Sequence, residues 1–192
     1  MSELTLVLGG IKSGKSLFAE NLAHSFSKKN DINFNKIAYL ATAEVRDDEM
    51  SARVLMHRER RPKEWHTLES PLRPDIEISN LDTSIKFLII DCITLYITNL
   101  LLQNESGEFE GDNCRWSDKS GAILDKVGKL CHVCKERDLD VVMVSNEVGF
   151  SIVPDNKLGR VFNDIQGQTN QIIAKYADSV YLVVAGIPLQ LK

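Results

Sequence analysis

Short apolar runs alternate along this chain with longer stretches of helical period, and that alternation predicts most of its elements. Leu4-Thr5-Leu6-Val7-Leu8 reads as a first strand, followed after a glycine-rich turn by a helix over about 15–29, in which Leu17, Phe18, Asn21, Leu22 and Phe26 form the stripe. A polar stretch, 30–35, leads to a strand over 36–41. A helix spans about 47–60, opening with acidic residues and stopped by Pro62. Residues 65–68 suit a short strand, and 87–90 a strand apolar at every position, as in a parallel sheet covered on both faces. A helix then runs through Leu102, and a polar surface insertion fills 103–115. The rest reads as a helix over 117–137, a strand over 141–145, a helix over 158–176 and a strand over 179–185. Gly186-Ile187-Pro188 turns the chain into a short last strand, 189–192, expected to run antiparallel.

Strands alternating with helices of this length predict right-handed βαβ units and a three-layer α/β fold with a mainly parallel sheet. Functional residues then belong in the loops at the carboxyl ends of the strands. The length of 192 residues suits a single domain spanning 1–192. A formal charge of −4 leaves no broad basic surface for nucleic acid or anionic lipid. The first apolar run ends in the glycine-rich turn and does not read as a signal peptide, and the 87–102 run is too short and polar to span a bilayer. A soluble, cytoplasmic protein is expected. Cys131 and Cys134 share a C-x-x-C spacing, yet they lie within a helical pattern and no second pair is present to complete a zinc site, so Cys92, Cys114, Cys131 and Cys134 read as reduced thiols.

The chemistry starts at Gly9-Gly10-Ile11-Lys12-Ser13-Gly14-Lys15-Ser16, a G-x-x-x-x-G-K-S phosphate loop between a strand and a helix. Backbone N–H groups and the helix N-terminus converge there on phosphate oxygens. Lys15 is placed to reach the β- and γ-phosphates, and the Ser16 hydroxyl to ligate Mg²⁺. Asp91, an acid at the end of Phe87-Leu88-Ile89-Ile90, has the Walker B placement beside that ion. In the helix at 47–60, Arg53, His57, Arg60 and Arg61 fall on one face. Such a face is either a solvated basic surface or an imidazole ringed by guanidiniums that clamp polyphosphate and keep the ring neutral and nucleophilic. Ser145-Asn146-Glu147-Val148-Gly149 ends a strand at the expected ligand crevice; Asn146 and Glu147 either position an acceptor hydroxyl or serve the turn. His24, His66 and His132 have no such setting and read as structural or surface residues.

These motifs, with Tyr39-Leu40-Ala41-Thr42-Ala43, Arg61-Pro62, Trp65, Glu69, Asp91-Cys92-Ile93-Thr94, Asn170-Gln171 and Leu182 through Pro188, occur in an order that resembles the bifunctional adenosylcobinamide kinase/adenosylcobinamide-phosphate guanylyltransferase family of cobalamin biosynthesis. The resemblance covers nearly the whole chain. It implies a P-loop NTPase fold of RecA-like type and a homotrimer. It also implies two reactions: phosphorylation of adenosylcobinamide with a nucleoside triphosphate, ATP or GTP, and transfer of GMP from GTP through a guanylylated histidine. The products of the second are adenosylcobinamide-GDP and pyrophosphate. His57 falls on the family's histidine, and Thr42, Ala43, Glu44, Arg58, Glu59, Arg60, Arg61, Glu69 and Asp91 fall among its GTP contacts. Two departures stand out. Met56 precedes His57 where some relatives carry a second histidine, and Ile11-Lys12 replaces the usual Ala-Arg in the phosphate loop. A monofunctional P-loop kinase of a small metabolite would share the loop and Asp91 but would not need His57. A GTPase switch would carry N-K-x-D, which is absent from the sequence.

Overall fold

The structure, a computed structural model, describes residues 2–44, 58–59, 61–103 and 116–192. Its centre is a seven-stranded sheet built from β1 (Leu4–Gly9), β2 (Ile37–Ala41), β3 (His66–Glu69), β4 (Phe87–Asp91), β5 (Asp140–Asn146), β6 (Ser179–Val184) and β7 (Ile187–Gln190). The order is β3-β2-β4-β5-β1-β6-β7, and every pairing is parallel except β6 with β7. This is the expected mainly parallel α/β sheet with an antiparallel C-terminal strand.

The side chains of each strand divide between two cores. Leu88 and Ile90 of β4 join Leu4, Leu6, Leu40, Val141 and Met143 on one face. Phe87 and Ile89 join Val7, Tyr39, Val142 and Val144 on the other. The first face is covered by α3 (Ile93–Leu102), α4 (Trp116–Glu136) and α5 (Lys157–Tyr176), the second by α1 (Lys15–Asn30). In α4, Ile123, Val127, Leu130, Cys131 and Cys134 recur at helical spacing and are buried. Burial pushes the Cys131 thiol up to about 12 and that of Cys134 higher still. Both sulfurs pack in the core as free thiols.

Three elements differ from expectation. The buried face of α1 is centred on Ala19 and Ala23, which let the helix lie close to the sheet, while Leu17 is exposed. A short helix, α2 (Pro74–Asn80), was not foreseen; Pro74 fixes its first turn, and Asp75 and Glu77 complement its dipole. The last turn is two residues, Ala185 and Gly186, both at positive φ, and the final strand begins at Ile187. Pro188 therefore lies within a strand, which the sheet tolerates because β7 is an edge. The 47–60 helix falls outside the described residues except for Arg58 and Glu59, which are helical, and all of the 103–115 insertion beyond Gln103 lies outside them too. Among the described residues no helix is long and apolar enough to cross a membrane.

Candidate nucleotide site

Register brings the carboxyl ends of five strands to one edge. Gly9 lies opposite Asn146, Asp91 opposite both Ala41 and Val144, and Glu69 opposite Ala41. The phosphate loop, Asp91, Glu69 and Asn146-Glu147 therefore collect along this edge, as a parallel sheet requires.

The phosphate loop is formed. A Cβ on Gly9 would fall 2.5 Å from both Ser13 Oγ and the Val183 carbonyl oxygen, so only glycine fits. Gly14 has φ 100°, and a Cβ there would approach Gly186 Cα to 3.1 Å. The hairpin turn between β6 and β7 braces the loop, because the Gly186 N–H donates to the Ser13 carbonyl at 2.8 Å. Ile11 and Lys12 form the exposed crest, with Lys12 at φ 56°. Lys15 is 8% exposed and its Nζ donates to the Gly10 carbonyl at 2.6 Å, across the space that the loop encloses. Burial lowers its pKa, opposed by the negative charge of Asp91 nearby.

Asp91 ends β4 on the α1 face, the face that carries Tyr39. Its Oδ2 accepts a hydrogen bond of 2.6 Å from the Tyr39 hydroxyl. The next residue, Cys92, is half-buried, and its thiol is pushed up to about 12 by desolvation and then by Asp91, which leaves it un-ionised. The Ser16 hydroxyl and the Asp91 carboxylate are hard oxygen donors of the kind that Mg²⁺ takes. The donor set fits the ion, and when bound the ion neutralises phosphate charge.

Thr42 is fully buried. Its hydroxyl donates to the Cys92 carbonyl at 2.6 Å and accepts from the Cys92 N–H at 2.9 Å. The side chain therefore fixes the end of β2 to the end of β4, while Ala43 is half-buried and Glu44 exposed. Arg58 pairs with Glu69, both side chains remaining about half exposed. Glu59 is exposed, and Arg61 lies over the Tyr39 ring with Cζ 3.3 Å from its centroid. Arg53, His57 and Arg60 lie outside the described residues.

At the end of β5, Glu147 is set beside the loop by its N–H, which donates to the Gly9 carbonyl at 3.0 Å. Glu147 Oε1 accepts from the Gly149 N–H at 2.7 Å. The Asn146 N–H donates to Thr94 Oγ1 at 2.8 Å, and its side chain makes no hydrogen bond among the described residues. Beneath them lies a buried polar network that sequence reasoning missed. Ser145 donates to Asn170 Oδ1 at 2.7 Å, and Gln166 donates to Ser145 Oγ at 2.8 Å. Asn170 Nδ2 reaches the Asn146 carbonyl at 3.0 Å. Asn99, from α3, donates to the Thr42 carbonyl at 2.8 Å. The available signal was polar residues placed within helices that are otherwise apolar toward the sheet.

Of the other histidines, His24 packs on Phe34 and Trp65, and His132 contacts Glu136 one turn on. All three, including His66, are exposed.

A parallel sheet with a phosphate loop after β1 and an acid ending β4 defines a P-loop nucleoside-triphosphate fold. A KaiC-like protein from Pyrococcus horikoshii shares that fold at TM-score 0.50 and 14% identity, over 94% of this chain and 70% of its own. Sequence comparison narrows the class. Residues 5–191 match the family model for cobinamide kinase / cobinamide phosphate guanyltransferase. The bifunctional adenosylcobalamin biosynthesis protein CobU of Salmonella typhimurium is 38% identical over 98% of this chain and 99% of its own. The CobU of Escherichia coli is 37% identical over the same shares, and CobP of Pseudomonas aeruginosa 36% identical over 97% and 96%. The chain belongs to the cobinamide kinase / cobinamide phosphate guanyltransferase family, a family of bifunctional enzymes.

Proposed function

We propose that this chain carries out both reactions of its family around the edge just described. The single observation that carries the reading is a family match over 5–191 laid on a formed phosphate loop, with Lys15 buried inside it. In the kinase reaction the aminopropanol hydroxyl of adenosylcobinamide attacks the γ-phosphorus of ATP or GTP. The bond from that phosphorus to the β-bridging oxygen breaks, and the nucleoside diphosphate leaves. Lys15 and the loop N–H groups hold the β- and γ-oxygens. Glu147, fixed beside Gly9, receives the hydroxyl proton, and Asn146 orients the acceptor.

In the guanylyl transfer a ring nitrogen of His57 attacks the α-phosphorus of GTP, forming a P–N bond and expelling pyrophosphate. A phosphate oxygen of adenosylcobinamide phosphate then attacks the same phosphorus. The P–N bond breaks, giving adenosylcobinamide-GDP and restoring the imidazole. Arg53, Arg58, Arg60 and Arg61 supply positive charge that binds the polyphosphate and disfavours imidazolium. Mg²⁺ bound through Ser16 and Asp91 would neutralise phosphate charge. The family reading also makes the working assembly a cytoplasmic homotrimer.

Incubation with adenosylcobinamide, Mg²⁺, ATP and GTP tests the proposal. Two corrinoid products are expected, one phosphorylated and one carrying GMP, and Lys15→Ala should lose the phosphorylation. Phosphorylation with no GMP transfer under any nucleotide condition would establish the monofunctional kinase instead.

A further inference from the structure

Tyr39 is almost wholly buried in β2, on the sheet face that α1 covers. It lies opposite Ile89, and Asp91 is two residues further along β4 on the same face. A diagonal of this kind lies within reach of a long side chain, and the Tyr39 hydroxyl spans it to Asp91 Oδ2 at 2.6 Å. Burial and then Asp91 raise the tyrosine pKa. The same ring carries Arg61, whose Cζ stands 3.3 Å from the centroid. Arg61 Nε and Nη1 are buried and have no hydrogen-bond partner among the described residues. Buried guanidinium donors are seldom left unpaired in a native fold, and a ring face satisfies the charge but not the N–H groups. An anion does both, and the anion of this site is the polyphosphate.

We propose that Tyr39 is a positioning residue of the nucleotide site. Its hydroxyl fixes the Mg²⁺-directing carboxylate of Asp91 and its ring seats Arg61, so that the ion site and a guanidinium edge for phosphate are held as one unit. This inference rests on the nucleotide-site reading above. Orienting Oδ2 leaves Asp91 Oδ1 for the ion or its water. Seating Arg61 on an aromatic face presents its Nε–Nη1 edge without the loss of side-chain freedom that a solvated arginine would suffer on binding. The two halves share one ring, so the ion and the phosphate each favour the arrangement the other requires.

Equilibrium binding of a non-hydrolysable GTP analogue, titrated with Mg²⁺, tests this without any turnover. Tyr39→Phe keeps the ring and removes the hydroxyl. It should raise the Mg²⁺ concentration for half-maximal tight binding about tenfold, the scale of one hydrogen bond to a charged group, and leave Mg²⁺-free affinity within about twofold. Tyr39→Leu removes the seat as well and should weaken Mg²⁺-free binding about as much as Arg61→Ala. The double variant should be no weaker than Arg61→Ala alone. Tyr39→Phe with wild-type Mg²⁺ dependence overturns the proposal, as do losses from Tyr39→Leu and Arg61→Ala that simply add. Lys15→Ala separates the two levels. Undiminished binding in that variant removes the nucleotide-site reading itself, whereas lost binding beside a normal Tyr39→Phe removes the positioning role alone.

Discussion

Thr42 and Cys92 are joined twice, the threonine hydroxyl donating to the Cys92 carbonyl at 2.6 Å and accepting from its N–H at 2.9 Å. Through this one side chain, the backbone that leaves β2 is fixed to the backbone that leaves β4 immediately after Asp91. Thr42→Val keeps the shape and leaves the Cys92 N–H unpaired, while the Cys92 carbonyl keeps only the Tyr96 N–H at 3.2 Å. It should cost about 1–3 kcal/mol in urea unfolding, with Thr42→Ser near wild type. Nucleotide affinity should fall with Thr42→Val even at temperatures where the variant is fully folded, because Asp91 loses its reference point.

The network beneath Glu147 predicts a second effect. Asn170 links Ser145 and the Asn146 carbonyl, at the end of β5, to Gln166 one turn earlier on α5. Asn170→Leu strands those groups in a dry interior and should destabilise the protein by about 2–4 kcal/mol. Corrinoid phosphorylation should slow more than GTP binding weakens if Asn146 and Glu147 serve the acceptor as proposed. The kcat and Kd measured together on this variant check the split.

The hairpin that braces the phosphate loop carries a removable strain. Ala185 has φ 51° in a two-residue turn where asparagine or glycine is preferred. Ala185→Asn should therefore stabilise the protein by about 0.5–1 kcal/mol, read as a raised midpoint in denaturant. Gly14→Ala acts in the opposite direction. Its new methyl meets Gly186 Cα, and both stability and triphosphate affinity should fall.

Asp75 predicts a dependence on pH. It is nearly buried at the start of α2; that burial works to raise its pKa, but Lys129 and Arg73 outweigh it and hold the carboxyl below its ordinary 3.8. A depressed folded-state pKa means that the unfolded chain binds the proton more readily, so stability from this group is present above about pH 3.8 and is lost as pH falls through the lower folded value. Asp75→Asn should be less stable than wild type by a constant margin from pH 5 to 8, and the margin should shrink below about pH 4 in urea titrations.

What the sequence made legible was local. The phosphate loop, the four-residue apolar run ending at Asp91 and the strand ending at Asn146 each declare themselves within a few residues, and each lies where the pattern implied. The unread parts join residues distant in the chain. Asn99 reaches Thr42 across 57 positions, and Tyr39 reaches Asp91 across 52. In the sequence Asn99 is only a polar break in an apolar run, and Tyr39 is one apolar position among five in a strand. Which buried polar group finds which partner is decided by strand order, and strand order is not written in any one segment. The two-residue turn at Ala185-Gly186 was misplaced for a different reason: Pro188 signals a break unless its strand is known to be an edge.

The central claim is that GMP passes through His57. Wild-type protein incubated with Mg²⁺ and α-labelled GTP should retain label on the polypeptide, labile to acid and stable to alkali as a phosphoramidate is, and His57→Ala should retain none. Label that persists in His57→Ala, or that never forms on the wild-type protein between about pH 6 and 9, where the imidazole passes from charged to neutral, would contradict it.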